Sequence, residues 1–425
     1  MPSDAAVADA SVVDALPFRC HFCGGGNAWE MVDLGRQPLA NSNLPDAEAV
    51  ARERRYPLHA RVCSDCHLAQ VDKVVPAEDI FSEYQYFSSV SSTFVEHARQ
   101  YAERMIGQYG LGADSMVVEV ASNDGYLLQH FVARGVPVLG VEPARNIAAI
   151  ANDKGIRTVS RFMGTDTARD LLAQGFAADL VAANNVLAHV PDINDFIAGL
   201  ALLLKPQGVL TVEFHHLLSM IEKRQFDAIY HEHFSYLSLE TVQRMFARHG
   251  LEVFDVDELT THGGSLRIHA HRAGGPARPK AAALQVVAAK EAAAGLGTEV
   301  CYAGFDAEVK RIRRELLQFL AEARSAGRRV VGYGAAAKGN TLLNYCGVGA
   351  DDIAYVVDKN THKQNHLLPG SHIPIVAPEK LRETKPDYVL VLVWNIAEEV
   401  MREHSYVGDW GGRFAVAVPG SRLLP

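Results

Sequence analysis

Residues 229–236 read Ile-Tyr-His-Glu-His-Phe-Ser-Tyr and place two imidazoles, a carboxylate and two phenols next to one another. Imidazole exchanges protons near neutral pH, and a neighbouring carboxylate or phenol can orient it or assist it. The stretch is therefore a candidate proton-transfer site. The alternative interpretation is a loop at the start of a helix, in which the histidines are satisfied by hydrogen bonds.

A nucleotide-binding unit precedes this stretch and should carry a cofactor to it. Residues 116–120 predict a buried strand, residues 121–125 a loop of small and polar residues, and residues 126–131 a helix. Doubly wound folds approach a cofactor through this order of elements. The next predicted strand, residues 138–141, ends at Glu142, about twenty residues beyond the loop, where a carboxylate can bind both ribose hydroxyls of an adenosine.

The composition of the loop favours S-adenosylmethionine over NAD as the ligand. It lacks the Gly-x-Gly-x-x-Gly pattern that seats a pyrophosphate, and Glu119 and Asp124 would repel a diphosphate but tolerate a cationic sulfonium. The order of elements through residue 214 matches class I methyltransferases, and His189 lies at the carboxyl end of a strand, where ligands bind in open sheets. The predicted cofactor-binding residues are Glu119, Ala121, Ser122, Asn123, Gly125, Tyr126, Glu142, Pro143 and Asn185.

Four of the six cysteines form two Cys-x-x-Cys pairs, Cys20 with Cys23 and Cys63 with Cys66. Such pairs in a reducing compartment are typical of a tetrahedral zinc site. Four thiolates leave no open coordination position, so we predict a structural zinc ion that holds a small domain together. Redox chemistry is the alternative.

The last third of the chain repeats the nucleotide-binding plan. Residues 279–326 predict one long helix or a helix pair, and a strand at 329–331 then leads into the small-residue loop 332–340. Backbone amides and Lys338 in that loop could approach a diphosphate, and Asp358 ends the following predicted strand. The alternative is a Rossmann-like unit with a purely structural role.

Two segments near the amino terminus connect these units. Residues 34–41 predict a loop, whereas residues 92–109 predict an amphipathic helix. Between them, residues 81–89 are rich in aromatic and hydroxyl side chains, and we expect Tyr84 to face a ligand.

Charge and hydropathy exclude several classes of partner. The chain has 425 residues, 41 basic and 50 acidic, with a net charge of −9, which argues against nucleic acid and anionic membranes as partners. No stretch approaches the length of a membrane span, and the first residues lack the pattern of a secretion signal. We expect a cytoplasmic monomer with two or three domains.

The two cysteine pairs, the loop Val-Glu-Val-Ala-Ser-Asn-Asp-Gly, the Tyr-His-Glu-His-Phe-Ser-Tyr stretch and residues 332–341, in this order, resemble the three-part sugar C-methyltransferases. The resemblance covers nearly the whole chain. It implies action on nucleotide-linked 4-keto deoxysugars in antibiotic sugar pathways. It also implies that His233 is the base and that Tyr230, Glu232, His189 and Tyr84 surround the sugar.

The resemblance implies an α/β protein with a small zinc-binding domain (1–80), a class I methyltransferase domain (81–275) and a Rossmann-like domain (276–425) that helps to bind the nucleotide sugar. The expected reaction is methylation of C3 of a dTDP-linked 4-keto-6-deoxysugar. Methylation of C5, or nucleotide-sugar binding without catalysis, is the alternative. The predicted substrate-binding residues are Tyr86, Ser88, Tyr333, Lys338, Asn340, Thr341, Asp358 and Lys359.

Overall fold

A computed structural model describes residues 17–72 and 87–425 of the chain. The described residues form three β-sheets, of four, seven and six strands. Tyr84 and Tyr86 lie outside the described residues, so their predicted contacts with the substrate stay predictions. No helix among the described residues has both the length and the apolar character that crossing a lipid bilayer requires.

The four-stranded sheet belongs mainly to the amino-terminal part of the chain. Its strands are β1 (Ala28–Gln37), β2 (Tyr56–Cys63) and β3 (Ala69–Val71), and the short helix α1 (Ala47–Arg52) lies between the first two. The prediction of a loop over residues 34–41 is wrong for its first four residues, because antiparallel pairing with β2 extends β1 to Gln37.

The fourth strand of this sheet comes from a distant part of the sequence. Ser235–Tyr236, at the end of the histidine-rich stretch, pairs antiparallel with β3, opposite Gln70 and Ala69. A segment placed by its sequence in the middle of the chain therefore completes the amino-terminal sheet.

The seven-stranded sheet has the order expected of a class I methyltransferase domain. Its strands run β10-β11-β8-β7-β4-β5-β6, and β11 lies antiparallel to both neighbours. The order reverses at β4, so the cofactor loop after β4 lies at the switch point where such sheets bind ligands. These seven strands are β4 (Val117–Val120), β5 (Val138–Val141), β6 (Thr158–Val159), β7 (Ala178–Asn184), β8 (Leu204–His215), β10 (Leu251–Leu259) and β11 (Ser265–Arg272). The label β9 belongs to Ser235–Tyr236 of the first sheet.

The helix predicted at residues 92–109 is confirmed as α2 (Ser92–Tyr109). The Ser91 hydroxyl accepts the Phe94 amide at 3.3 Å and begins the helix, and Gly110, with φ 63°, ends it. The other helices of this part are α3 (Leu128–Val132), α4 (Arg145–Asp153), α5 (Thr165–Ala173), α6 (Ile193–Leu203), α7 (Leu217–Glu222) and α8 (Leu239–Arg248).

The carboxyl-terminal unit begins with a helix pair, as residues 279–326 predict. Its six strands run in the order β14-β13-β12-β15-β16-β17, with only β17 antiparallel to its neighbour. The elements are α9 (Ala282–Ala294), α10 (Phe305–Ser325), β12 (Val330–Tyr333), α11 (Ala337–Cys346), β13 (Val356–Val357), β14 (Ile375–Val376), α12 (Lys380–Thr384), β15 (Tyr388–Val391), α13 (Ala397–Glu403), β16 (Arg413–Val416) and β17 (Arg422–Leu423).

One hydrophobic core joins the amino-terminal sheet to the carboxyl-terminal unit. Met31 and Leu58 of the sheet share this core with Ile312 of α10 and Leu343 of α11, and all four are fully buried. Residues 226–229, which lead into the histidine-rich stretch, are buried in the same core. The first and last parts of the chain therefore enclose the candidate catalytic loop.

Candidate active site

The four cysteines of the paired motifs meet at one point of the amino-terminal unit. All four Sγ atoms lie within 4.8 Å of one another, with 3.4 Å between Cys20 and Cys66 and 3.5 Å between Cys23 and Cys63. A zinc ion with Zn–S bonds of about 2.3 Å requires tetrahedral S–S distances of roughly 3.8 Å. The Cys66 thiol donates to Cys20 and lowers the pKa of Cys20 to about 5, towards the thiolate form that metals bind. The residues therefore fit a structural zinc ion.

Three residues of the cofactor loop have a left-handed backbone, namely Ala121, Asn123 and Gly125, with φ of 56°, 50° and 81°. Glycine usually occupies such positions because it lacks the Cβ atom that makes them unfavourable. Alternation of left-handed residues lets the backbone turn sharply after β4. The loop thus has the geometry of a glycine-rich loop at positions where alanine and asparagine stand.

Buried polar atoms without hydrogen-bond partners surround this loop. They include Glu119 Oε2, Ser122 Oγ and Asp124 Oδ1, counted among the described residues. Because nearly all buried polar groups are paired in proteins, such a cluster indicates a ligand site. Burial, together with the charges of Glu142 and Asp124, raises the pKa of Glu119 well above its usual range. A cationic ligand such as S-adenosylmethionine would relieve this repulsion, so the residues fit that cofactor.

Glu142 lies at the end of β5, as the sequence predicts for a ribose-binding acid. Its carboxylate accepts the backbone amides of Asn123 and Ala144, each at 2.9 Å, and so connects two strand ends. Burial raises its pKa. Asn185 follows β7 with φ 55°, Tyr126 is buried beyond the loop, and Pro143 is half-buried beside Glu142. Their contacts with a cofactor stay predictions.

Ser88, predicted to contact the substrate, lies against the cofactor loop. Its backbone amide donates to Asn123 Oδ1 at 2.9 Å, and the neighbouring Ser89 hydroxyl donates to Asp124. Asp124 also binds Lys154 Nζ at 3.0 Å. The segment before α2 therefore covers the loop from one side.

Replacing Ala121 by glycine should stabilise the protein. A left-handed alanine costs about 1–2 kcal/mol, and the greater entropy of glycine in the unfolded chain offsets part of that gain. We expect a net gain of roughly 0.5–1 kcal/mol, seen as a higher midpoint of thermal unfolding. Ala149→Gly, at an exposed position within α4, is the matched control and should lower the midpoint. A lower midpoint for Ala121→Gly would contradict the assigned conformation.

His233 has a defined protonation pattern in the histidine-rich stretch. Its Nδ1 lies 2.9 Å from the carbonyl oxygen of Ala228, so Nδ1 carries the proton and donates. Its Nε2 therefore has a lone pair, which accepts the hydroxyl of Tyr230 at 2.8 Å. Burial and the charge of His189 lower the pKa of His233 well below its usual range. The ring is neutral at pH 7 and can accept a proton.

His189 lies against the same ring, with the two imidazole centroids 4.6 Å apart in an edge-on arrangement. Its Nδ1 is 2.7 Å from the carbonyl oxygen of Glu232 and therefore donates to it. Burial lowers the pKa of His189 to about 4, so the ring is neutral and its Nε2 is an acceptor. The structure thus brings His189, Tyr230 and His233 together, and their roles around a sugar stay predictions.

Glu232 points in another direction from His233 and binds the amino-terminal unit. Asn41 donates to the Glu232 carboxylate with its backbone amide, at 3.3 Å, and also with its side-chain amide. Burial raises the pKa of Glu232 to about 7. The charge of Lys363, from the carboxyl-terminal unit, opposes this shift. Glu232 therefore holds the loop in place where the three parts of the chain meet.

Asn340 and Thr341 of α11 contact the protein at the same junction. Asn340 Nδ2 donates to the Ala40 carbonyl oxygen at 2.6 Å, and the Thr341 hydroxyl donates to the Ile229 carbonyl oxygen at 3.0 Å. Both side chains hold the walls of the site, and Asn340 Oδ1 is buried without a partner among the described residues. Their predicted contact with the substrate stays a prediction.

Lys338, at the start of α11, lies against the turn after β10 and the loop after β15. Its ammonium lies 4.6 Å from the centroid of the Trp394 ring and 3.5 Å from the His262 carbonyl oxygen. Trp394 donates its indole N–H to Asp227 at 2.6 Å, and burial raises the pKa of Asp227 to about 6. Burial lowers the pKa of Lys338, and the charge of Asp227 opposes that change.

The remaining predicted substrate-binding residues lie at the carboxyl edge of the last sheet. Asp358 accepts the backbone amide of Ala335 at 2.8 Å and so fixes the small-residue loop. Lys359 forms an ion pair with Glu403. The hydroxyl of Tyr333 lies 3.0 Å from Nε2 of His404.

Four side chains near Lys338, which come from separate loops, were not predicted from the sequence. His215 ends β8 and its Nε2 lies 2.6 Å from Gln225 Oε1. Burial and the charge of Lys338 lower the pKa of both His215 and His262. Only the folded sheet edge brings these residues together, although Thr261-His262-Gly263-Gly264 is a recognisable turn sequence. The four are His215, Asp227, His262 and Trp394.

Comparison with known proteins shows the family of the chain. C-methyltransferase NovU of Streptomyces niveus is 35% identical over 405 residues, which cover 95% of this chain and 96% of the relative. The chain belongs to the C-methyltransferase family. Three family models match parts of this C-methyltransferase, described as "Putative zinc binding domain" (residues 20–81), "Methyltransferase domain" (94–256) and "C-methyltransferase C-terminal domain" (260–419).

Other similarities cover smaller shares of this chain. A ubiquinone biosynthesis O-methyltransferase of Bartonella tribocorum is 31% identical over 97 residues, 23% of this chain and 39% of the relative. Magnesium protoporphyrin IX methyltransferase of Synechocystis, solved with bound SAH, has a TM-score of 0.34 and 17% identity over 42% of this chain and 83% of that one. At that TM-score the likeness carries no weight in the assignment. The C-methyltransferase therefore uses S-adenosylmethionine, and its four clustered cysteines bind zinc.

Proposed function

We propose that this C-methyltransferase methylates C3 of a dTDP-linked 4-keto-6-deoxysugar in deoxysugar and antibiotic biosynthesis. The observation that carries the proposal is the protonation pattern of His233. With Nδ1 donating to Ala228, Nε2 carries no proton, and its lone pair accepts the Tyr230 hydroxyl. An acceptor there would find a neutral base within a largely closed site.

The chemistry of carbon methylation explains why a base and a ketone are both needed. A sugar C–H bond is not nucleophilic, but a neighbouring carbonyl group makes it acidic enough for a positioned base to remove the proton. Such a base contributes roughly 10²–10⁴-fold to the rate. Bound S-adenosylmethionine supplies an electrophilic methyl group. The protein then has to hold the two reactants in line, which accounts for much of the remaining acceleration.

His233 is the group that we assign to the removal of the proton at C3. Tyr230 donates its hydroxyl to His233 Nε2 at 2.8 Å and so keeps the ring oriented. The substrate would displace this hydroxyl from the lone pair. Glu232 and Asn41 fix the backbone of the loop, so that the imidazole meets the sugar in a constant position.

Features of the carboxyl-terminal unit support a nucleotide-diphosphate handle. Lys338 lies at the start of α11, whose Thr341 contacts the catalytic loop, and the small-residue loop before α11 is bound to Asp358 at the end of β13. Beyond Asp358 lies a cavity of about 580 Å³, large enough for a nucleoside. The cavity is lined by Lys359, Thr361, Gln364, Ala377, Pro378, Glu379, Arg382, Glu403, His404 and Tyr406.

Product analysis tests the proposal. The purified enzyme with S-adenosylmethionine should convert a dTDP-4-keto-6-deoxysugar to a product heavier by one methylene group, and NMR should place the new methyl group on C3. A methyl group on C5 would show that the other position next to the ketone reacts. Failure with every keto sugar of a panel that varies the nucleotide base and the C3 substituent, hydroxyl or amino, would contradict the proposal.

A further inference from the structure

His262 lies in a short turn at the ligand-binding edge of the seven-stranded sheet. The turn, Thr261–Gly263, joins β10 to β11, and β11 begins at Ser265, which pairs with His215 at the end of β8. The carboxyl ends of the parallel strands therefore lie beside it, and this is the edge where ligands bind in open α/β sheets.

The backbone of His262 is left-handed, with φ 53° and ψ 16°. This conformation is unfavourable for a residue with a side chain. Such strain persists where the surroundings fix the backbone, and it is frequent at functional sites. Here Lys223 and Gln225 donate to the Gly263 carbonyl oxygen at 2.6 and 3.2 Å, and Thr261 donates to Glu213 at 3.0 Å. Glycine would suit the turn better, so the imidazole is retained at a cost.

The imidazole of His262 lies between the cofactor loop and α11. Its edge meets the Phe94 ring at 5.7 Å, and Phe94 stacks on Tyr126, beyond the cofactor loop, at 5.3 Å. The His262 carbonyl oxygen receives Lys338 Nζ at 3.5 Å. Its Nε2 is buried and has no hydrogen-bond partner in the described ranges 17–72 and 87–425. The side chain thus offers one unused polar atom within the enclosed site.

His262 and His233 share the same electrostatic surroundings. Burial and Lys338 lower the pKa of His262 to about 4, with a smaller contribution from His189 in the same direction. Burial, together with the nearby His189 and Lys338, also lowers the pKa of His233. His262 is therefore neutral at pH 7, and a neutral imidazole can donate one N–H to an oxygen that becomes negative.

The hydrogens of two side chains next to His233 already have protein partners. His189 and His233 both donate through Nδ1 to backbone carbonyl oxygens, which leaves each Nε2 as an acceptor. The hydroxyl of Tyr230 donates to His233 until the substrate displaces it, whereas Nε2 of His262 has no partner among the described residues to give up. Removal of a proton next to a ketone moves an electron pair onto the carbonyl oxygen, and that oxygen needs a hydrogen-bond donor.

We propose that His262 is a further catalytic residue, whose Nε2–H donates a hydrogen bond to the ketone oxygen of the acceptor as it becomes an enolate. His233 takes the proton from carbon while the electron pair moves to this oxygen. The pair returns as the new carbon–carbon bond forms, the carbon–sulfur bond breaks with its electrons left on sulfur, and His233 later releases its proton to water. This inference rests on the proposed ketone substrate.

The variant His262→Gly removes the imidazole and also the left-handed strain. We expect the midpoint of thermal unfolding to be unchanged or higher, and the affinity for S-adenosylhomocysteine in calorimetry to stay within about twofold. Loss of one oxyanion donor costs about 10²–10³-fold. Both deuterium washout from the keto sugar and methyl transfer should fall by this factor, and free imidazole should restore part of each rate.

His372→Gly is the matched control, because His372 also has φ 53° but pairs with Glu53, at 2.9 Å, away from this site. Its rates should equal those of the wild type. Unchanged washout in His262→Gly would overturn the proposal, as would a lower midpoint with weaker cofactor binding and no imidazole rescue. If the wild type itself shows no washout from any keto sugar, the ketone substrate is wrong and both proposals fail. If the wild type shows washout and His262→Gly shows it at the same rate, only the role of His262 is contradicted.

Discussion

Replacing His233 by asparagine is expected to lower kcat by roughly 10²–10⁴-fold, the usual contribution of a positioned base. Asparagine can keep the hydrogen bond to the Ala228 carbonyl oxygen through its amide, so the loop should stay in place. It has no basic atom at the position of Nε2. Deuterium washout from the keto sugar should therefore fall together with methyl transfer, while the affinity for S-adenosylhomocysteine stays near that of the wild type.

A second histidine of the same motif provides the control. His231 donates through Nε2 to the Pro57 carbonyl oxygen at 3.0 Å and faces the amino-terminal sheet. In His231→Gln the side-chain amide can make the same bond, so turnover should stay close to that of the wild type. Washout at the wild-type rate in His233→Asn would remove His233 as the base.

Removal of the zinc ion is expected to have the second large effect. Structural zinc sites contribute apparent binding free energies of about 10–16 kcal/mol, which become folding free energy. The strand β2 ends at the ligand Cys63, and β3 follows the ligand Cys66 and pairs with Ser235–Tyr236. Loss of the metal should therefore loosen the catalytic loop. A displacement of about 1 Å at such a site costs on the order of 10²-fold in rate.

Cys66→Ser, with metal analysis, tests this coupling independently of activity. The wild type should contain close to one equivalent of zinc and the variant much less. Backbone amides of residues 229–236 should exchange faster with solvent, while those of β7 keep their protection. Cys301→Ser, at a half-buried cysteine outside the cluster, should leave metal content, exchange and turnover unchanged. Metal-free protein with native unfolding and full turnover would contradict the zinc assignment.

Local sequence signals predicted much of the fold. Ser91 and Gly110 mark the ends of α2, and the apolar run at 138–141 matches β5 residue for residue. The extent of β1 could not be read in this way, because it depends on pairing with β2, about twenty residues further along the chain. Residues 353–357 predicted a strand, but only Val356–Val357 pairs with its neighbours. Pairing across a sheet is a non-local property that apolar runs do not record.

Part of the candidate site could likewise be predicted from the sequence. Tyr230 and His233 are neighbours in the sequence, so their meeting needed only a turn. His262 and Asp227 belong to loops whose approach depends on the order of seven strands and on contact with α11. The left-handed backbone of Ala121 and Asn123 in the cofactor loop was not predicted either, because neither residue is glycine, the usual residue at such positions.

The shared strand Ser235–Tyr236 has a consequence for recombining relatives of this enzyme. Its pairing partner β3 comes from the first part of the chain, and the residue Ile229 just before the motif receives a hydrogen bond from Thr341 of the last part. A hybrid that transplants only the methyltransferase sheet would receive a base-bearing loop whose two supports come from foreign segments. To exchange acceptor preference between family members, residues 17–72, α11 and the loop should therefore be transferred together.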